Sequence, residues 1–223
     1  MPKPTLLSWS SGKDSAWALY QLQQSDEYEL RGLVTTINQQ YQRVAMHAVR
    51  LELLQKQAEA AGLPLTLLEL PWPCSNDDYE AIMSDFVAKA VDDGIECMAF
   101  GDLFLEDIRD YRIKNLSGTG IEPVFPIWGI PTDELAREMV EAGLRATITC
   151  IDPRLVPASL AGQVFDAAFL ESLPEGGDPC GENGEFHSFA WAGPMFTESI
   201  AIRSGEVVER DGFVFADLLF GSD

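Results

Sequence analysis

The chain predicts an α/β fold, a parallel sheet covered by helices on both faces, followed by a smaller α+β unit. Three observations carry this reading. Strand-like and helix-like segments alternate through the first 131 residues. Each repeat has the length of a β-then-α unit, which joins neighbouring strands in parallel. Beyond Pro131 the alternation stops and the tail turns strand-rich, with closely spaced turn signals. The expected units are residues 1–131 and 132–223.

The elements follow in order. Residues 5–9 are a short apolar strand, followed by a tight polar loop and a helix over about 14–23. Residues 30–37 form a second strand. A helix over about 47–61 carries Val49, Leu53, Leu54, Ala58 and Ala61 on one face and stops at Gly62. Residues 64–70 are a third strand. Ser75 or Asn76 caps a helix with Tyr79, Ile82, Met83, Phe86 and Ala90 on its apolar face, closed by Gly94. Residues 97–100 give a fourth strand and, after a helical stretch, 123–127 a fifth. In the second unit 132–142 reads as a helix and 146–151 as a strand. A Gly-rich acidic segment then spans 174–185, and turn signals stand at Ala192-Gly193-Pro194, Ser204-Gly205 and Asp211-Gly212.

Composition excludes several functions. With 36 acidic against 15 basic residues the net charge is −21, a field that repels phosphodiester backbones, so no nucleic-acid partner is expected. No run is long enough to cross a bilayer, and Met1-Pro2-Lys3-Pro4 leads directly into a strand without the apolar region of a secretory signal. A cytoplasmic protein with no membrane partner is expected. The four cysteines are scattered, with no Cys-x-x-Cys pair and only two histidines, which argues against structural zinc and against a disulfide framework.

The loop Ser10-Ser11-Gly12-Lys13-Asp14-Ser15 lies between the first strand and the first helix, where a doubly wound sheet opens its ligand crevice. The helix N-terminus there offers free N–H groups and positive dipole to an anion. Gly12 allows close backbone approach, Lys13 adds a mobile positive charge in a solvent-facing crevice, and Ser10, Ser11 and Ser15 supply hydroxyls. Together they read as a phosphate cradle; a capped β-α turn is the plainer alternative. The P-loop pattern does not fit, because Asp14 follows the lysine and Leu7 stands where its first glycine belongs. Trp9 and Trp17 flank the loop and read as packing residues.

Three further segments bear on chemistry. Gly101-Asp102 ends the fourth strand and faces the same crevice; its glycine would let a base or ribose lie against the backbone. Asp102 and Glu106, with Asp107, are oxygen ligands suited to Mg²⁺, although Glu106 and Asp107 equally suit the first turn of a helix. Asp178-Pro179-Cys180-Gly181-Glu182-Asn183-Gly184-Glu185-Phe186-His187 is a glycine-broken acidic run. Its Glu182, Glu185 and His187 either fold inward as ligand or general base or form a solvated turn, and composition alone favours the turn. Met46-His47 precedes the second helix, with His47 either a nucleotide contact or the start of that helix.

Ser-x-Gly-x-Asp-Ser after the first strand resembles the signature of PP-loop ATP pyrophosphatases, with Ser11 in place of the usual second-position glycine. With the three other segments, the chain resembles the diphthine–ammonia ligase family and its PP-loop relatives over most of its length. The resemblance implies a Rossmann-like sheet of the adenine nucleotide α-hydrolase type. It also implies ATP and Mg²⁺, a carboxylate acceptor activated as its adenylate with release of pyrophosphate, and amidation by ammonia. In the family that carboxylate is diphthine on an elongation factor; another small carboxylate or carbonyl, or a nucleotide sensor without chemistry, is the alternative. The residues implied are Lys13, Asp14, Glu182 and Glu185 for catalysis, Ser10 to Ser15, His47, Gly101 and Asp102 for the nucleotide, and Asp102 with Glu106 for Mg²⁺. No glutaminase motif is present, so free ammonium is the expected nitrogen source. A monomer and a homodimer are both compatible.

Overall fold

A computed structural model describes residues 1–39, the backbone of 43–44, and residues 49–221. Five strands form a parallel sheet in the order β4-β2-β1-β5-β6: β1 (Lys3–Ser8), β2 (Tyr28–Asn38), β4 (Leu65–Leu70), β5 (Cys97–Ala99) and β6 (Glu122–Val124). A two-residue β3 (Arg43–Val44) pairs antiparallel with the end of β2. Crossovers run through α1 (Lys13–Gln23), α2 (Leu51–Ala61), α3 (Asn76–Asp92) and α4 (Glu106–Leu116). Strand order therefore reverses between β1 and β5, and ligands of open α/β sheets bind at such a switch point, outside the carboxyl ends of the strands. The Rossmann-like expectation is met.

Beyond α5 (Thr132–Glu141) the chain builds a second, antiparallel sheet in the order β8-β7-β10-β9. Its strands are β7 (Arg145–Ile151), β8 (Phe186–Ala192), β9 (Ile202–Arg210) and β10 (Phe213–Phe220), with a short α6 (Ala167–Ser172) between β7 and β8. One apolar core runs through both sheets. It joins Leu7, Trp9 and Trp17 to Ile148, Phe165, Phe186 and Phe189. That explains α1, whose residues Lys13, Ser15 to Leu19 and Leu22 are buried, because it lies between the sheets. Trp9 and Trp17 are core residues, as expected.

Local rules account for most boundaries. Ser75 is the cap of α3: its hydroxyl accepts from Asp78 N (3.1 Å) while Asp78 accepts from Ser75 N (3.2 Å), a reciprocal capping box. Asp211 and Gly212 have φ of 52° and 82°, the doubly left-handed pair that turns a tight hairpin between β9 and β10. Two expectations need correction. Gly205 does not turn the chain; it lies inside β9, where a β-carbon would stand 3.0 Å from Asp217 Cβ, beside a register shift in β10. The fifth parallel strand is three residues long and ends at Val124, after which the chain folds back with Trp128 N–H donating to Phe125 O. The helix expected from 47 is described from Leu51; His47 lies outside the described residues. Among the described residues no helix is long and apolar enough to cross a membrane.

Candidate active site

A cavity of about 590 Å³ opens at the carboxyl ends of β1, β2 and β5, within the range of small-ligand sites. Ser10, Lys13, Asp14 and Ser15 line it from the first crossover, Gly101 and Asp102 from the end of β5. Glu182, in the turn before β8, and His187 and Ser188, on β8, close it from the other side. Most of the expected site residues thus meet in one place. Ser11, Gly12, Glu185 and Glu106 are not on its wall.

The loop is held from several directions. Gly12 caps α1 with extended backbone, and its carbonyl accepts from Ala16 N–H and the Ser15 hydroxyl, both at 3.0 Å. Ser10 Oγ donates to Ser15 Oγ (3.1 Å). Ser11, which replaces the usual glycine, has φ 70° and is fully buried, with its hydroxyl unpaired among the described residues. Its carbonyl accepts from Ala190 N–H (3.0 Å) and Gln57 Nε2 (2.9 Å), which pin the left-handed turn. A left-handed L-residue costs about 1–2 kcal/mol, and the unpaired hydroxyl adds to that. Ser11→Gly regains this strain against roughly 0.5–1 kcal/mol of extra unfolded-chain entropy. We expect Tm unchanged or up by roughly 2–4 °C; a melt lowered by several degrees would show that the side chain contributes something else.

Lys13 is not the mobile, solvent-facing charge expected from its place in the loop. It is 2% exposed. Its Nζ donates to both Asp14 carboxylate oxygens at 2.9 Å and to the carbonyl of Cys180, and stands over the rings of Phe165 (5.5 Å) and Phe186 (5.3 Å). Burial by itself lowers its pKa, but the negative field of Asp14 and Glu182 outweighs this, and the net shift is upward. Lys13 is a fixed cation that ties the first crossover to the acidic run; Lys13 N–H also donates to the buried Ser188 hydroxyl (3.2 Å).

The acidic run is a structured turn. Asp178 accepts from Cys180 N (3.1 Å) and Glu182 N (2.9 Å). Gly181 has φ 72°, and a β-carbon there would meet the Phe186 carbonyl at 2.9 Å, so only glycine fits. Glu185, expected as a catalytic carboxylate, is 4% exposed and turned into the loop itself, accepting from Asp178 N, Asn183 N and Asn183 Nδ2 at 3.0–3.2 Å. An amide cannot accept all three bonds, so Glu185→Gln should cost about 2 kcal/mol and lower Tm by roughly 4–8 °C. An unchanged melt would contradict the stapling role. Glu182 points the other way, into the cavity, where it accepts from Leu103 N–H (3.0 Å). Burial, with Asp14 and Asp102 adding to it, pushes its carboxyl up to about 7 against the Leu103 bond and Lys13.

The two halves that build this cavity are those of one known family. The model of the diphthamide synthase N-terminal domain matches residues 3–117, and that of its C-terminal domain residues 131–216. The chain belongs to the diphthamide synthase family. The human and bovine proteins named diphthine–ammonia ligase are 26% identical over 196 residues, covering 81% of this chain and 71% of theirs; the rat protein of that name is 24% identical.

In this diphthamide synthase family member, Gly101 lines the cavity and is also closely packed: a β-carbon there would stand 3.0 Å from Ser15 N and 3.1 Å from Asp14 C. Asp102 lies beside it on the cavity wall, 3.5 Å from Arg112 Nε, and burial and Asp14 raise its pKa against the Arg112 charge. Glu106 and Asp107 are exposed in the first turn of α4, off the cavity, where acids suit the helix dipole. Among the described residues no three His, Cys, Asp or Glu side chains stand close enough to hold a metal alone. Mg²⁺ needs only one or two carboxylates beside water and phosphate oxygens. The mutual repulsion of Asp14, Asp102 and Glu182 is the kind that a divalent cation relieves.

Three residues escaped the sequence reading. Gln57 sits at the centre of the apolar face of α2; it accepts from Trp9 Nε1 (2.9 Å) and donates to Ser11 O and Ala190 O. A polar residue four places after Leu53 on an apolar stripe was the available signal. Ser188, at an inward position of β8, and Arg112, midway along α4, carried no comparable signal.

Proposed function

We propose that the chain adenylates an acceptor carboxylate with ATP and amidates it with ammonia, and that the acceptor is diphthine. The observation that carries this is the insertion of Glu182, from the turn that leads into the second sheet, into the cavity that the phosphate loop opens. Residues 1–131 form the nucleotide side in this reading and 132–223 the acceptor side. An acceptor carboxylate oxygen attacks the α-phosphorus, the bond to the bridging α–β oxygen breaks, and pyrophosphate leaves. Ammonia then attacks the acyl carbon, and the acyl–oxygen bond to AMP breaks.

The chain's residues have distinct parts. The N-terminal N–H groups of α1, Ser10 and Ser15 cradle the phosphates, with the helix dipole aligned to the charge. Lys13 fixes Asp14 and the Cys180 carbonyl, so that loop and acidic run hold one geometry as charge builds on the departing pyrophosphate. Glu182, poised near neutrality, takes the proton that ammonium must lose to become a nucleophile. Glu185 positions Glu182 through the turn they share. Asp102 and Asp14 would hold Mg²⁺, whose chemistry is to neutralise phosphate charge.

Phosphorus NMR of the chain with Mg·ATP, ammonium and a diphthine-bearing elongation factor tests this. AMP and pyrophosphate should form only when the factor is present. ATP that is bound yet not cleaved would overturn the reading in favour of a nucleotide sensor. AMP formed with another acceptor would overturn the choice of diphthine.

A further inference from the structure

Gln57 is the one polar side chain among the five that α2 buries, and it is 0% exposed. Its amide reaches the phosphate loop and the strand packed behind it. Oε1 accepts from Trp9 Nε1 (2.9 Å), and Nε2 donates to Ser11 O (2.9 Å) and Ala190 O (2.6 Å). Trp9 and Ser11 bracket Ser10, which lines the cavity. A paired buried amide adds only modestly to stability. Its effect on the loop is more specific.

The Ser11–Gly12 peptide is where that effect falls. A peptide unit is planar and trans, so its carbonyl and its N–H point in opposite directions. Here the Ser11 carbonyl is turned into the core, where Gln57 Nε2 and Ala190 N (3.0 Å) both donate to it. The Gly12 N–H therefore faces the other way, toward Ser10 Oγ at 3.3 Å. Rotating this peptide by half a turn would exchange the two and aim a carbonyl oxygen toward the Ser10 side. Local sterics do not forbid it. The flip carries Gly12 from its φ of −81° into positive φ, which glycine tolerates. A carbonyl oxygen facing phosphate oxygens repels them, whereas an N–H attracts them, so the unflipped peptide is the one that binds an anion.

We propose that Gln57 is a positioning residue for phosphate binding: it holds the Ser11–Gly12 peptide with its carbonyl away from the cavity, so that the loop meets the nucleotide with donors. This deepens the ligase reading and rests on its nucleotide-binding half. Gln57 does not line the cavity and acts through Ser11, whose left-handed turn at φ 70° is fixed by the same carbonyl. The sequence replaces a loop glycine with Ser11 and keeps Gly12; the buried amide removes the freedom that Gly12 leaves.

The test separates phosphate binding from folding. Kd values for Mg·ATP and for adenosine are measured by titration calorimetry on the full chain, well below its melt. Gln57→Met keeps the length and the apolar stem and removes both donors. It should raise the ATP Kd at least about tenfold and leave the adenosine Kd within about twofold, while lowering Tm by roughly 4–8 °C. Leu135→Ala, on the buried face of α5 and off the cavity wall, loses a comparable amount of Tm and should leave both constants within about twofold. An ATP Kd unchanged in Gln57→Met, an adenosine Kd raised in step with it, or a tenfold loss of ATP affinity in Leu135→Ala would each overturn the proposal. If Gln57→Met does not fold, wild type decides the matter. The scalar coupling across the hydrogen bond from Gln57 Nε2 to the Ser11 carbonyl should persist when ATP is bound, and its disappearance would overturn the proposal. Wild type that binds ATP no better than adenosine would remove phosphate recognition, and the nucleotide reading with it. Wild type that favours ATP, beside an unaffected Gln57→Met, would sink this proposal alone.

Discussion

Lys13→Met is expected to lower turnover by on the order of a hundredfold or more and Tm by roughly 6–12 °C. Two separate losses produce this. Methionine keeps the apolar stem against Phe165 and Phe186, so the core stays filled. It removes the charge that Asp14 and the Cys180 carbonyl share, and a buried pair robbed of one partner costs about 3 kcal/mol. The same contact joins the phosphate loop to the run bearing Glu182, so the catalytic geometry loosens along with the fold. Lys13→Ala should be worse in stability, because it also opens a cavity. Thermal melts and initial rates on both variants decide the matter. Inactivity with an unshifted melt would restore the free, solvent-facing lysine that the loop sequence suggests.

Glu182→Gln should keep the fold and lose turnover by about 10²–10⁴-fold, the usual worth of a positioned base. The amide oxygen still accepts from Leu103 N–H, so the local structure survives. The titration has a definite sign. The folded carboxyl titrates at about 7, above its ordinary value of 4.5, so between those values the folded state holds a proton that the unfolded state has released. The stability this group contributes is present below about pH 4.5 and is lost as pH rises to 7, by at most about 3 kcal/mol. In chelator-treated protein, denaturant titrations should therefore show wild type losing stability relative to Glu182→Gln across that window. Parallel curves for the two proteins would place the Glu182 carboxylate in water.

The parallel sheet was legible because its signals are local. Alternating apolar runs, Gly62 after α2, the Ser75 capping box and the Asp211-Gly212 turn each act within a few residues. What failed was set at a distance. Gly205 has turn chemistry, but the approach of Asp217 from β10 makes it a strand position. Residues 123–127 are apolar throughout, yet of these only Pro123 and Val124 pair, after Glu122, before the chain folds back. Lys13 is enclosed by Phe165 and Phe186, more than 150 positions away, which no loop pattern reveals. Glu182 and Glu185 look equivalent in a glycine-broken run; the left-handed turns at Gly181 and Gly184 send one into the cavity and the other into the loop.

The adenylated carboxylate is the centre of the account, and oxygen-18 tests it most directly. A diphthine-bearing elongation factor labelled in its carboxylate oxygens is amidated with unlabelled ATP and ammonium, and the released AMP is weighed by mass spectrometry. Attack of the carboxylate on the α-phosphorus places one labelled oxygen in each AMP. AMP that carries no label, or cleavage to ADP and phosphate, would contradict an acyl-adenylate and with it the reaction assigned to this cavity.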